Sequence, residues 1–169
     1  ATDGEFRRTS WHMDFIYRLG GVSQGDDRLT VRMHDNEGDV EFTAPALHIN
    51  APITLQEPIF GSDFEFLRSV AGPGVTPKLT IPSPSMVHYR GGRAAIDPAV
   101  YGDEDAFWAD LSAAYAAQVQ AVHELGCTYL QLDDTSLAYL NDPDQRAQLD
   151  ARGDDAEHQH LRYIKQINA

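Results

Sequence analysis

The sequence predicts an α/β protein in which helices alternate with short parallel strands and a β-hairpin is added. Residues 78–81 and 127–132 are short strand-like runs that flank a long helical pattern over 104–125. Helical patterns also lie before and after this unit, over 62–71 and 154–168. Because this order is typical of βα units, it favours a parallel sheet. An open doubly wound sheet is the alternative, although no glycine-rich phosphate loop opens a helix.

The helices are predicted from apolar side chains that recur every three or four residues. The longest stripe, in the helix predicted over 104–125, consists of Trp108, Leu111, Tyr115, Val119, Val122 and Leu125. Shorter stripes predict a helix over 10–19, where Ser10 could serve as N-cap, and the helix over 62–71. The last predicted helix has an apolar stripe of Leu161, Ile164 and Ile167.

The β-hairpin is predicted from two alternating runs, residues 29–34 and 39–43, joined by a glycine-bearing turn at 35–38. The alternation puts Leu29, Val31 and Met33 on one face, as in a ribbon with one side in water. We expect this hairpin to decorate the α/β unit.

Composition narrows the function classes. The 169 residues suit one domain, and 26 acidic against 13 basic residues give a net charge of −13. Such a surface repels phosphate backbones and anionic membranes, so we expect neither nucleic acid nor a membrane as a partner. The single Cys127 favours a reducing compartment, and we expect a cytoplasmic protein. Because neither end resembles a domain edge, we also expect a piece of a longer protein.

Acidic residues follow strands at two places where α/β proteins collect function. Glu5 lies near the N-terminus, where it would follow a missing or truncated strand, and Asp133 with Asp134 comes directly after a strand. Two carboxylates that face one cavity can bind an ammonium group, hold a metal or share acid/base work. Solvated loop acids and helix caps are the ordinary alternative. His88 follows a strand end and is placed for a ligand cavity, although ordinary loop packing explains it equally well.

Five segments, in order, carry a resemblance to a known family. They are DGEFRR at 3–8, APIT at 51–54, KLTIPSP at 78–84, GCTYLQLDD at 126–134 and YIKQINA at 163–169. Together they span nearly all of the chain, which resembles the catalytic barrel of cobalamin-independent methionine synthase and its single-barrel relatives.

The resemblance implies a partial (β/α)8 TIM barrel with an inserted β-hairpin. Residues 1–169 would be a single domain, an internal segment that lacks the first strand and the C-terminal part with the zinc ligands. The implied activity is methyl transfer from a methyl-folate or related donor to the thiol of homocysteine or a similar thiol, in methionine biosynthesis. Zinc is the implied cofactor, with no metal ligand and no catalytic residue in this segment, which alone would be inactive.

The resemblance also implies substrate-binding residues. Glu5 and Asp133 match the acidic residues that hold the amino group of homocysteine, and Asp134 and His88 complete the predicted substrate-binding set. His88 or Tyr89 stands where the synthase has a tryptophan near the folate ring, and Tyr139 replaces an acidic residue, so the donor stays open.

Two other functions stay open. One is a non-catalytic binding or assembly module that forms a homo-oligomer through open strand edges. The other is a different TIM-barrel enzyme that uses its paired carboxylates for hydrolysis.

Overall fold

A computed structural model describes residues 1–35, 38–89 and 91–169, and within 26–45 only the backbone is described. The elements, in chain order, are α1 Met13–Ile16, β1 Gly20–Asp35, β2 Gly38–Thr54, α2 Gly61–Val70, β3 Leu79–Pro82, α3 Pro84–Tyr89, a 3-10 turn Gly92–Ala95, α4 Glu104–Glu124, β4 Leu130–Asp133, α5 Ser136–Tyr139, α6 Pro143–Arg152 and α7 Gln159–Ile167. The predicted α/β class is confirmed. Among these helices none is long and apolar enough to cross a membrane.

Strands β3 and β4 pair in parallel, which confirms the predicted βα unit. Their register runs from Leu79 opposite Leu130 to Pro82 opposite Asp133. The intervening chain contains α3 and the long helix α4, which gives the crossover that parallel strands require. The sheets formed by the described residues have two strands each, so the closed barrel implied by the resemblance remains a proposal.

The predicted hairpin is confirmed and is longer than expected. Strands β1 and β2 pair antiparallel from Gly20 opposite Thr54 to Asp35 opposite Gly38, with register shifts near the base. Gly21 has a φ of +85°, and a Cβ there would lie 2.4 Å from the Ala51 carbonyl oxygen, so the position requires glycine. The side chains of Leu29, Val31 and Met33, which form the predicted apolar face, and the middle of the turn lie outside the part of the chain that is described.

Helix α4 supplies much of the core, as its stripe predicts. Phe107, Trp108, Leu111, Tyr115 and Val122 are buried, whereas Val119 is exposed, contrary to prediction. The fully buried polar residue in the helix is Gln118. Its amide donates to the Ile59 carbonyl and accepts from the Ile59 N–H, at 2.9 Å each. Burying the Gln118 side chain costs little free energy because both of its polar atoms are hydrogen-bonded.

The predicted stripe of α7 is wrong. Leu161 and Ile164 are exposed, and Tyr163 and Gln166 are buried instead. Both buried side chains find polar partners in the core, the Tyr163 hydroxyl with His88 at 3.0 Å and the Gln166 amide with the Trp108 carbonyl at 2.8 Å. These contacts, which lie far apart in sequence, select the buried face.

Two helices have a proline as their first residue, and the sequence patterns did not predict either helix. Helix α3 begins at Pro84 and helix α6 at Pro143. Proline suits this position because its missing N–H would have no partner inside the helix. The Asp142 side chain caps α6 by accepting from the backbone N–H groups of Asp144 and Gln145. The first predicted helix, over 10–19, is reduced to the single turn of α1.

Candidate functional site

The N-terminal segment, residues 1–5, begins beside the residues that directly precede β3, on the edge that faces away from β4. The Ala1 amino group donates to the Thr76 carbonyl, and the Lys78 N–H donates to the Ala1 carbonyl, at 2.7 Å each. These two bonds bracket Pro77 in the pattern of parallel pairing. Leu79, the next residue, donates to the Tyr129 carbonyl on the opposite edge. The N-terminal segment, β3 and β4 therefore run side by side in the same direction.

Glu5 comes at the carboxyl end of the N-terminal segment. Its backbone has a φ of +60°, a left-handed conformation that is uncommon for a residue with a side chain. The Asp3 carboxylate accepts from the Glu5 N–H at 3.0 Å and supports this turn. The Glu5 carboxylate lies 3.3 Å from Arg8 Nη1, and its side chain keeps 27% exposure. Glu5 is thus held in place while part of its carboxylate still meets solvent.

Asp133 is the last residue of β4, opposite Pro82. Its carbonyl accepts from the Ser83 N–H at 2.9 Å, which continues the pairing beyond the strand. Its carboxylate accepts from the side-chain amide of Gln131, whose own oxygen accepts from Lys78 Nζ at 2.8 Å. This leaves Asp133 partly exposed at the carboxyl end of the sheet, with acceptor positions free.

The carboxylate of Asp134 is occupied by its own protein. It accepts from the Ser85 hydroxyl at 2.7 Å, the Ser136 N–H at 2.8 Å and the Ser136 hydroxyl at 2.6 Å. Ser83 and Ser85 are joined by a further hydroxyl contact of 2.6 Å. Ser83, Ser85 and Ser136 are all fully buried. Asp134 therefore joins the end of β3 to the end of β4.

His88 lies in helix α3 rather than in the predicted loop, and its side chain is 2% exposed. Its Nδ1 lies 3.0 Å from the Tyr163 hydroxyl, and its ring packs 5.0 Å from that of Trp108. Its Nε2 lies 3.7 Å from a carboxylate oxygen of Glu104. The prediction of a loop at His88 is wrong because a helix begins at Pro84.

Two ionisable groups that contact His88 have shifted pKa values. The neighbouring imidazole lowers the pKa of the Glu104 carboxyl, against the opposing effect of burial. Burial raises the pKa of the Tyr163 hydroxyl, and the negative charge of Asp154 adds to this effect. The Tyr163 hydroxyl therefore stays protonated, and the His88 environment is a packed interior.

The structure thus brings Glu5 and Asp133 to the same end of three parallel segments, with β3 between them. Neighbouring strands are spaced by about 4.8 Å, so the backbones of the two outer segments lie roughly 10 Å apart. Two partly exposed carboxylates in this arrangement favour a small cation such as an ammonium group. Asp134 is occupied by Ser85 and Ser136, and His88 is buried in the core.

From the sequence, Arg7 and Arg8 could pair locally with Glu5 or face an anionic substrate, and local pairing is the default. Arg8 does pair with Glu5, at 3.3 Å, whereas Arg7 pairs with Asp63 at 3.2 Å. What the sequence did not indicate is that the Arg8 side chain is almost completely buried and also reaches the Thr80 carbonyl of β3, at 2.8 Å. The only signal was a basic residue three positions after Glu5.

No metal site is indicated at these carboxylates by the part of the chain whose side chains are described. Within residues 1–25, 46–89 and 91–169, whose side chains are described, no three His, Cys, Asp or Glu side chains lie together so that they could hold a metal ion. The residues described here therefore do not fit a zinc site by themselves. A shallow groove of about 650 Å³ lies between the base of the hairpin and the 3-10 turn, and none of the four predicted substrate-binding residues lines it.

Comparison with known proteins reveals relatives that are longer than this chain. No protein-family model matches it. Two uncharacterized proteins of Bacillus subtilis (strain 168), YxjH and YxjG, are each 36% identical to it across 99% of its residues. The chain spans 42% of YxjH and 43% of YxjG. It therefore corresponds to less than half of each relative.

Among solved structures, a protein of Listeria monocytogenes named "Putative Vitamin-B12 Independent Methionine Synthase" superposes with a TM-score of 0.72 at 36% identity. The match covers 99% of this chain and 42% of that one. In structure, the chain therefore resembles part of that protein. A B12-independent methionine synthase from Shewanella sp. W3-18-1, solved with selenomethionine, shares the fold at 19% identity, with a TM-score of 0.58 over 94% of this chain and 41% of that one. Both structures therefore share the fold of this chain over part of their length.

Proposed function

We propose that this chain forms the amino-acid pocket of an enzyme that transfers a methyl group to the thiol of homocysteine or a similar thiol. The observation that carries the proposal is the placement of Glu5 and Asp133 at the same end of three parallel segments. The similarity to the Listeria protein, at 36% identity across this chain, supports the same reaction class.

Glu5 and Asp133 would bind the ammonium group of the substrate from two sides. A Glu and an Asp side chain can lean toward one ammonium group across two strand spacings, roughly 10 Å. Asp134, saturated by serine donors, would fix the end of β4 so that Asp133 keeps its direction. His88 would support the pocket from behind through α3. The part of these residues is to bind and orient the amino acid.

The proposed reaction forms a bond between the substrate sulfur and the methyl carbon as the bond from that carbon to the donor breaks. The thiol loses its proton, and the donor leaves with the electron pair. The family resemblance implies zinc, which makes a thiol more acidic and more nucleophilic when bound. The described residues do not themselves form a zinc site, so their part in the reaction is to bind and orient the amino acid.

We also propose that residues 1–169 are an internal segment of a (β/α)8 barrel. The parallel order of the N-terminal segment, β3 and β4 supports this arrangement. So does the fact that the chain spans less than half of relatives such as YxjH. The methyl donor would be a methyl-folate or a related methyl compound. The enzyme would act in methionine biosynthesis, and it would be located in the cytoplasm. A homo-oligomer stays a prediction.

The test is substrate binding and turnover by the full-length gene product. Calorimetry should show that L-homocysteine binds more tightly than 4-mercaptobutyrate, which has the thiol and carboxylate but no amino group. Glu5→Gln should weaken homocysteine binding about tenfold, and mass spectrometry should detect methionine formed with a methyl-folate donor. Glu65→Gln, at an exposed position of α2, is the matched control. Equal affinity for the two thiols in the unmodified protein would overturn the proposal.

A further inference from the structure

Arg8 is a buried arginine at the point where the N-terminal segment meets β3. Its side chain is 2% exposed. The guanidinium donates to the Thr80 carbonyl at 2.8 Å and the Trp11 carbonyl at 3.5 Å, and lies 3.3 Å from the Glu5 carboxylate. It also stacks over the Phe60 ring, 3.9 Å from the ring centroid. These contacts fix the guanidinium in one orientation.

The two non-glycine residues with positive φ in the described chain are both contacts of Arg8. Glu5 and Phe60 each have a φ of +60°. Such conformations cost on the order of 1–3 kcal/mol and persist where surrounding contacts impose them. Arg8 Nε is buried with no hydrogen-bond partner among the described residues, a further cost. Strained backbone conformations and an unpaired buried donor that cluster in one place are typical of a functional site.

We propose that Arg8 is a positioning residue that holds the Glu5 carboxylate in the amino-acid pocket. This inference rests on the proposed function, because Glu5 has a ligand to bind only if that function holds. Arg8 links Glu5 to the backbone of β3, the strand between Glu5 and Asp133. The guanidinium therefore sets the distance between the two carboxylates, although it does not contact the substrate itself.

The adjacent residue offers a matched control. Arg7 also pairs with a carboxylate, Asp63 at 3.2 Å, and also stacks on a phenylalanine, Phe66 at 4.3 Å. Its side chain is 49% exposed, and both of its partners belong to α2. Arg7→Met therefore removes the same type of interaction without touching Glu5.

The experiment measures, for each variant of the full-length gene product, the ratio of the dissociation constants of 4-mercaptobutyrate and L-homocysteine. This ratio reports the contribution of the amino group and is insensitive to a general loss of folded protein. Arg8→Met should reduce the ratio about tenfold, and Arg7→Met should leave it unchanged. Glu5→Gln with Arg8→Met should match either single variant within threefold, because both remove the same interaction.

Arg8→Lys is the second variant, in case Arg8→Met does not fold. A lysine keeps the charge but cannot reach the Thr80 carbonyl and the Glu5 carboxylate together, so most of the ratio should still be lost. A folded Arg8→Lys or Arg8→Met protein that keeps the unmodified ratio would overturn this inference and leave the proposed function intact. An unmodified protein with a ratio near one would overturn the proposed function and this inference with it.

Discussion

The Ser85 hydroxyl donates to the Asp134 carboxylate at 2.7 Å and joins the start of α3 to the end of β4. Neither residue belongs to the β3–β4 hydrogen-bond ladder, yet their contact fixes where the two strands stop relative to each other. Because Asp133 is the neighbour of Asp134, the same contact restrains the carboxylate that we assign to the substrate.

Ser85→Ala should lower the free energy of unfolding by about 1–3 kcal/mol. The substitution removes a buried donor and leaves one Asp134 oxygen and the Ser83 hydroxyl with fewer partners. Urea unfolding followed by circular dichroism measures the change.

Ser69→Ala is the control for Ser85→Ala. The Ser69 hydroxyl also donates, to the Phe66 carbonyl at 2.7 Å, but it does so on the exposed side of α2. Its loss should change stability by less than about 0.5 kcal/mol. Equal effects of the two substitutions would show that the Asp134 network does not stabilise the strand ends.

Gln118→Leu should be among the most destabilising substitutions in helix α4, at about 2–4 kcal/mol. Leucine has a similar volume, but it leaves the buried N–H and carbonyl of Ile59 without partners. Thermal and urea unfolding measure the loss. Gln120→Leu, at an exposed position where the amide contacts Glu124, should be close to neutral. A stable Gln118→Leu protein would mean that water or a shifted backbone satisfies Ile59.

Local sequence patterns predicted those helices and strands whose buried face is set by their own apolar residues. Helix α4 has a long apolar stripe, and the runs that became β3 and β4 are short and bounded by turns, so their type was clear. Helix α3 has six residues, all buried, and therefore no periodicity to detect. In α7 the buried face is selected by His88 and Trp108, about 60–75 residues earlier in the sequence.

The same limit applies to the candidate site. The rule that function collects at the ends of parallel strands placed Glu5 and Asp133 at one end of the molecule from sequence alone. It could not separate Asp133 from Asp134, because three serine and backbone donors occupy the latter only after folding. Nor could it show that Arg8 is buried, because that depends on Phe60 and Thr80.

Folding stability should fall as the pH drops through the titration of Glu104. His88 lowers the pKa of this carboxyl in the folded protein below its usual value of 4.5. A carboxyl with a lowered folded pKa contributes stability that is present above the unfolded pKa and lost as the pH falls through the folded pKa. The stabilising contribution should therefore be complete at pH 6 and decline below about pH 4.5.

Urea unfolding at pH 6, 4.5 and 3.5 measures this contribution. Glu104→Gln should flatten the acid part of the stability profile, whereas Glu65→Gln, exposed on α2, should leave it unchanged. An identical acid profile in the Glu104→Gln protein would contradict the assigned contact between Glu104 and His88.

Tyr101 should resist ionisation and should stabilise the end of the hairpin nearest α4. Its hydroxyl donates to Asp110 at 2.6 Å and accepts from the Ile53 N–H at 2.7 Å. Burial raises the pKa of Tyr101 to about 12, and the hydrogen bond to Asp110 adds to this effect. Because the folded pKa lies above the usual value of 10, stability from this group is complete below pH 10 and is lost as the pH rises toward 12.

Tyr101→Phe should cost about 1–3 kcal/mol at pH 7, since it leaves the Ile53 N–H without its acceptor. It should also remove one group that titrates near pH 12 from the tyrosinate absorbance, whereas Tyr129→Phe, at an exposed position, should leave that step intact.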